Sequence, residues 1–123
     1  MIRSTELGRR AQQGSGLGAG VDKALRKEVY KRDGYRCALC DDHRRLQLHH
    51  VVPRGEGGPD TQMNLITLCP RCHALAHGTD IDRLGLRPQD VYQSCVEYLS
   101  DVYASEGVVP WNPWNPIVVH FRF

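Results

Sequence analysis

Four cysteines and a cluster of histidines are the residues of this 123-residue chain best equipped for chemistry. Cys37-Ala38-Leu39-Cys40 and Cys69-Pro70-Arg71-Cys72 are two Cys-x-x-Cys pairs separated by a domain-sized gap. Four thiolates so spaced are the complement of a closed tetrahedral zinc site. With every position filled by sulfur, no open position is left for water, so this zinc should be structural. Five of the six histidines lie between positions 43 and 77. His73 and His77 are four apart on an expected helix, share a face and can reach one ion. His49 and His50 are adjacent in an extended segment, so their side chains point apart and suit two different jobs. One could bind the ion beside His73 while the other faces a substrate as a base, since neutral imidazole serves either role near pH 7. His43, in a polar loop, reads as merely solvated. The bland alternative for His77 is a favourable place at the negative end of a helix dipole.

Positioning these groups requires a small scaffold. A chain of this length suits one domain with a modest core, for which a metal staple matters. A helix is expected from Val21 to about Lys31, with Leu25 and Val29 as its apolar stripe and Asp33-Gly34 as its stop. Arg45 to Val52 reads as a strand broken by Pro53, and residues 53–60 as a turn-rich loop. A second strand fits Leu65 to Leu68. A helix from about Arg71 to His77 should end at Gly78. A longer helix should start at Pro88 and run to about Ser105, with Gly107 just beyond. Val91, Tyr92, Cys95, Leu99, Val102 and Tyr103 give it one apolar face. Cys95, alone in that pattern, reads as a buried small hydrophobe. Trp111-Asn112-Pro113 repeats as Trp114-Asn115-Pro116, too short for a structural repeat; it suits a docking surface or the approach to a closing strand. Ile117, Val119, Phe121 and Phe123 then alternate with Val118, His120 and Arg122, which is strand patterning.

Net charge is +2, unevenly spread. Residues 1–36 carry nine Lys/Arg against four Asp/Glu, which favours polyanions, although a solvated helix face would look the same. No secretory signal or bilayer-spanning stretch is evident, so the expected location is intracellular, in the cytoplasm, with no membrane partner. Five cysteines, an odd number, fit poorly with a complete intrachain disulfide framework, and in a reducing compartment the two Cys-x-x-Cys pairs read as a metal site. The expected organisation is a Gly-rich basic arm over 1–20, a core over 21–78, and a helix-and-strand extension over 79–123 packed on the core.

The runs Arg32-Asp33-Gly34-Tyr35-Arg36-Cys37, Leu48-His49-His50-Val51-Val52-Pro53, Asn64-Leu65-Ile66-Thr67-Leu68-Cys69 and Cys72-His73 together resemble the HNH nuclease family, in its branch with a four-cysteine zinc site. The resemblance covers roughly residues 29–78. It implies a small α+β fold with a ββα-metal (His-Me finger) core: a hairpin over 45–68 packed on helix 71–77, with zinc knuckles, an N-terminal helix, and a C-terminal helix plus strand. It further implies that His50 is the general base and that Asn64 ties down the loop between the strands. His49 and His73 would be ligands of one catalytic divalent ion (Mn²⁺, Mg²⁺, Ni²⁺, Co²⁺ or Zn²⁺), with His77 a third ligand found in some branches. The implied activity is hydrolysis of DNA phosphodiester bonds to 5′-phosphate and 3′-hydroxyl ends, as an endonuclease or nickase. Arg44, Arg45, Arg54, Arg71 and the basic first helix are the candidates for phosphate contacts. The competing reading is a zinc-stapled nucleic-acid-binding module without catalysis, or an accessory subunit of a phage or mobile-element machine such as a DNA-packaging enzyme.

Overall fold

The computed structural model describes residues 20–79 and 85–121, so the glycine-rich arm expected over 1–20 lies, but for Gly20, outside the described residues. Helix α1 spans Lys23–Arg32. The Asp22 carboxylate caps it by accepting from the backbone N–H groups of Ala24 and Leu25 (2.8 and 3.2 Å), and Gly34 follows in the left-handed region. Strands β1 (Gln47–His50) and β2 (Leu65–Leu68) form an antiparallel hairpin in which Gln47 faces Leu68 and His50 faces Leu65. Helix α2 (Pro70–His77) follows at once, with Pro70 at its first position and left-handed Gly78 closing it. Helix α3 (Pro88–Ser105) has Asp90 accepting from the Arg87 N–H at 2.9 Å at its start and left-handed Gly107 after its end.

A lone two-stranded hairpin is marginal in water. Here α1 packs on β2, α2 on both strands and α3 on α2. All four β2 side chains are buried. Met63, Ile66, Leu68, Leu75, Val91, Leu99 and Tyr103 fill the core together with three of the four motif cysteines, Cys37, Cys69 and Cys72. Cys95 is fully buried among them, and burial pushes its thiol up to about 12. Tyr92, expected on the apolar face of α3, is 43 % exposed instead. The core-facing stripe of α3 is the narrower set Val91, Cys95, Leu99 and Tyr103. Strand β1 starts after the expected Arg45, which takes a positive φ of 50° outside the β region, and it ends at His50 rather than Val52.

The C-terminal strand expected over 117–123 does not form among the described residues 117–121. The alternation tracks contact only from residue 118 on: Val119 and Phe121 pack on the core while Val118 and His120 are exposed, but Ile117, expected on the same side as Val119, is 41 % exposed. Periodicity reports which side is covered, not whether a strand edge is available. Val119 is paired on both backbone groups, but by a side chain: Gln62 Nε2 donates to its carbonyl (3.2 Å) and Gln62 Oε1 accepts from its N–H (3.0 Å).

Arg32, counted by charge among the basic residues that attract polyanions, is 5 % exposed and faces inward. Its guanidinium binds Asp33 through two bonds (2.8 and 2.9 Å) and donates to the carbonyls of Gln62 and Leu65 (2.6 and 2.7 Å). Asp33 also accepts from the Thr67 N–H and the Tyr98 hydroxyl (2.9 and 2.8 Å). Burial opposes the charge on Arg32, yet Asp33 and Tyr103 raise its pKa further above the ordinary arginine value. Removing one partner of a buried, hydrogen-bonded pair leaves an uncompensated charge. Arg32→Ala should therefore destabilise the fold by about 3–5 kcal/mol, read from the urea midpoint at unchanged m-value. A shift within about 0.5 kcal/mol, as for an ordinary surface change, would show that this network is not what ties α1 to β2.

Candidate metal centres and active site

The two Cys-x-x-Cys pairs meet at one end of the hairpin. Sγ atoms of Cys37, Cys40, Cys69 and Cys72 all lie within 4.8 Å of one another, and Cys40 and Cys69 are 3.5 Å apart. Tetrahedral Zn–S bonds of about 2.3 Å place sulfurs about 3.8 Å apart, so the four suit a structural zinc ion. Local backbone makes the cluster. The first knuckle is docked on β2 by the Ala38 N–H on the Thr67 carbonyl (2.9 Å). Cys69 is both a cluster sulfur and the N-cap of α2, its Sγ accepting from the Cys72 N–H at 3.4 Å. A hydrogen bond from Cys72 pulls the Cys37 thiol down to about 4. Cys72, which donates that bond, is pushed above the ordinary thiol value, and burial pushes Cys40 up to about 11. Four sulfurs this close can all be thiolates only with a divalent cation among them to offset their mutual repulsion.

A second cluster forms where β1 meets α2. Ring nitrogens of His49, His73 and His77 lie within 4.8 Å of one another. His73 Nε2 and His77 Nε2 are 3.0 Å apart, and both rings meet His49 edge-on with centroids 5.1 and 5.2 Å away. His49 is buried, His73 half-buried and His77 exposed, so the cluster opens to solvent on one side. Burial first, and the neighbouring imidazoles second, push His49 down to about 3 and His73 down to about 4. Both rings are therefore neutral near pH 7, the form a metal ligand needs. Gln47 Oε1 contacts His73 Nδ1 from the other end of β1. Bound to that acceptor, Nδ1 must carry the proton, which leaves Nε2 turned toward the cluster. A cleft of about 470 Å³ runs from His49 and His77 past Val52, Glu56, Gln89 and Tyr92.

His50, the next residue of β1, does not join this cluster. Its Nε2 lies 2.7 Å from the Asp60 carboxylate. Asn64 is fully buried, and its amide cross-links the loop. Oδ1 accepts from the Val52 N–H (2.8 Å), while Nδ2 donates to the carbonyls of Val52 (3.0 Å) and Pro59 (2.9 Å). The turn it braces is tight. A Cβ on Gly58 would sit 1.7 Å from the Val52 carbonyl oxygen, so only glycine fits there. Of the arginine candidates, Arg44 pairs with Asp42 (Nε–Oδ1 3.1 Å) and Arg54 with Asp60 (2.9 Å), while Arg45 and Arg71 are also exposed.

Three partners escaped the reading by motif: Asp60, Gln47 and the Trp-Asn-Pro tail. Trp111 Nε1 donates to the Met63 carbonyl (2.7 Å) and Trp114 Nε1 to that of Gly57 (3.0 Å). The Thr61 hydroxyl donates to the Pro113 carbonyl. Neither Asp60 nor Gln47 sits at a diagnostic spacing from a histidine. The repeated tryptophans were a visible signal, but nothing in them named the loop they hold.

A family model described as HNH endonuclease matches residues 37–79, from the first zinc-site cysteine to just past His77. Over 56 residues, 45 % of this chain and 74 % of the relative, the chain is 36 % identical to anaredoxin of Nostoc sp.. The chain belongs to the HNH endonuclease family. Over 39 residues the chain is also 46 % identical to the Type IV methyl-directed restriction enzyme EcoKMcrA of Escherichia coli. That stretch is 32 % of this chain but only 14 % of the restriction enzyme. No solved structure matches the chain significantly. Membership supports a nuclease-type, DNA-binding function. No helix among the described residues is long and apolar enough to cross a membrane.

Proposed function

We propose that this protein is a metal-dependent DNA endonuclease that hydrolyses phosphodiester bonds to 5′-phosphate and 3′-hydroxyl ends. The observation that carries this reading is the division of labour along β1. His49 converges with His73 and His77 on one opening, while its neighbour His50 is held separately by an ion-paired carboxylate. A binding module has use for the four-cysteine staple but none for this second arrangement.

His49, His73 and His77 would hold the catalytic divalent ion, which supplies charge stabilisation for the phosphate and for the departing oxygen. His50 acts as general base. It takes a proton from water as the water oxygen bonds to phosphorus, and the bond from phosphorus to the 3′ oxygen breaks in line. The leaving 3′ oxygen collects a proton from solvent, so protons balance over the turnover. Asn64 acts through the loop by fixing its backbone. Exposed Arg44, Arg45 and Arg71, together with the outer face of α1, would bind phosphates without regard to sequence.

Incubation with supercoiled plasmid and a panel of divalent ions tests the proposal. An all-imidazole site is softer than one with a carboxylate, so Mn²⁺, Co²⁺, Ni²⁺ or Zn²⁺ should support nicking at lower concentration than Mg²⁺. Full activity in Mg²⁺ with none in the others would overturn this ligand set. DNA binding with no cleavage in any ion would overturn the enzyme in favour of the binding module.

A further inference from the structure

Asp60 lies outside every motif discussed above, yet it touches the ring proposed to move a proton. The His50 Nε2 to Asp60 Oδ1 distance is 2.7 Å, and the imidazole side chain is 18 % exposed. The same carboxylate is also held by Arg54, whose Nη2 lies 2.9 Å from Oδ2 and 3.1 Å from Oδ1 and whose Nε lies 3.2 Å from Oδ1, the oxygen that His50 contacts. Partial burial works against ionisation, but the bonds from His50 and Arg54 hold the carboxyl below its ordinary value. An ionised carboxylate only accepts hydrogen bonds, so Nε2 must be the nitrogen that carries the proton.

The Asp60 and Arg54 side chains are 38 % and 47 % exposed, and an exposed pair gains little stability from such contact. Its geometry is set by three separate pieces of backbone. His50 ends β1, Arg54 opens the 3₁₀ turn Arg54–Glu56, and Asp60 sits on the loop between them and β2. On that loop the carbonyl before Asp60 is fixed by Asn64 Nδ2 at 2.9 Å, and the next residue, Thr61, is fixed by Pro113. Gly57 is held by Trp114. The carboxylate is therefore delivered to His50 by anchored backbone on both sides.

We propose that Asp60 is the positioning residue of His50, fixing its imidazole as the Nε2–H tautomer so that Nδ1 is the free nitrogen available to the attacking water. The inference rests on the reading of His50 as the base, and it deepens that reading by assigning which nitrogen works. The logic is that of a carboxylate that orients a catalytic imidazole without itself taking up the proton.

The test pairs a spectroscopic readout with kinetics in the zinc-loaded full chain. Long-range ¹H–¹⁵N correlation of the His50 ring near pH 7 should show a single Nε2–H tautomer in the parent and a mixture in Asp60→Ala. Plasmid nicking by Asp60→Ala should lose kcat by about 10- to 100-fold, the usual effect of removing an orienting partner. KM and DNA affinity should hold. Asp60→Asn keeps an acceptor oxygen, so it should recover part of kcat and most of the tautomer preference; should Asp60→Ala fail to fold, Asp60→Asn carries the comparison. A parent ring in mixed tautomers overturns the proposal, as does a folded Asp60→Ala with parental tautomer and kcat. Because the ring signal needs no turnover, a parent that never cuts would sink the nuclease reading while the tautomer shift still reported on Asp60.

Discussion

Cys69→Ala should give a chain that neither retains zinc nor unfolds cooperatively. Cys69 serves the fold twice, as one sulfur of the cluster and as the N-cap of α2. Its neighbours Cys37 and Cys72 are buried, so losing the ion would leave their polar sulfurs packed among Leu68 and Leu75 without the ligand that joins the two knuckles. Structural zinc in finger peptides is worth about 10–16 kcal/mol of apparent binding free energy. A small domain has about 5–15 kcal/mol of stability in total. The ion therefore decides whether the core exists. Elemental analysis should return one zinc per chain for the parent before any catalytic ion is added, and a strong chelator should abolish the thermal transition. Well-folded protein without zinc, or with iron in its place, would reject the assignment. Loss of nicking in Cys69→Ala is then a loss of structure and says nothing about the reaction.

His50→Ala should behave in the opposite way, with fold and zinc intact but turnover gone. Removing a positioned base typically lowers the rate by about 10²–10⁴. His49, His73, His77 and the arginines remain, so DNA affinity should match the parent and fall equally steeply with salt. His73→Ala is the informative contrast. Its nicking should fall with occupancy of the catalytic ion and recover in part as the ion is raised, which His50→Ala should not do. Plasmid nicking and DNA titration on each variant, with zinc content as the check on folding, separate the two roles. A folded His50→Ala that cuts as fast as the parent would remove His50 from the mechanism.

What was legible in the sequence follows from how local each signal is. The bounds of α3 could be read from Pro88 and Gly107 because caps depend on a residue and its immediate neighbours. The cysteine pairs and the spacing of His73 and His77 could be read because ligand chemistry is written in short intervals. Arg32 was misjudged as surface charge because its partners, Gln62 and Leu65, are about 30 positions away. Asp60 was invisible for a different reason. An aspartate in a Gly/Pro-rich loop has an adequate explanation as a turn former, and only the fold brings it to His50. The alternation holds over 118–121 but not at exposed Ile117, and it reports contact with the core rather than membership of a sheet.

The tail bonds have a consequence for the order in which the molecule can assemble. Trp111 and Trp114 reach back 48 and 57 positions to the carbonyls they hold, and Val119 reaches 57 positions to Gln62. A ribosome makes these residues last among those described. All four thiols and all three clustered imidazoles are out before the first tryptophan is added. The staple can thus close on its metal while the loop bearing Asp60 still lacks the indole and amide bonds that brace it. Non-local contacts of this kind form late because the intervening chain must first be ordered. Chain order thus lets metal capture precede the brace on the loop that presents Asp60 to His50, because every ligand is made before the residues that brace that loop.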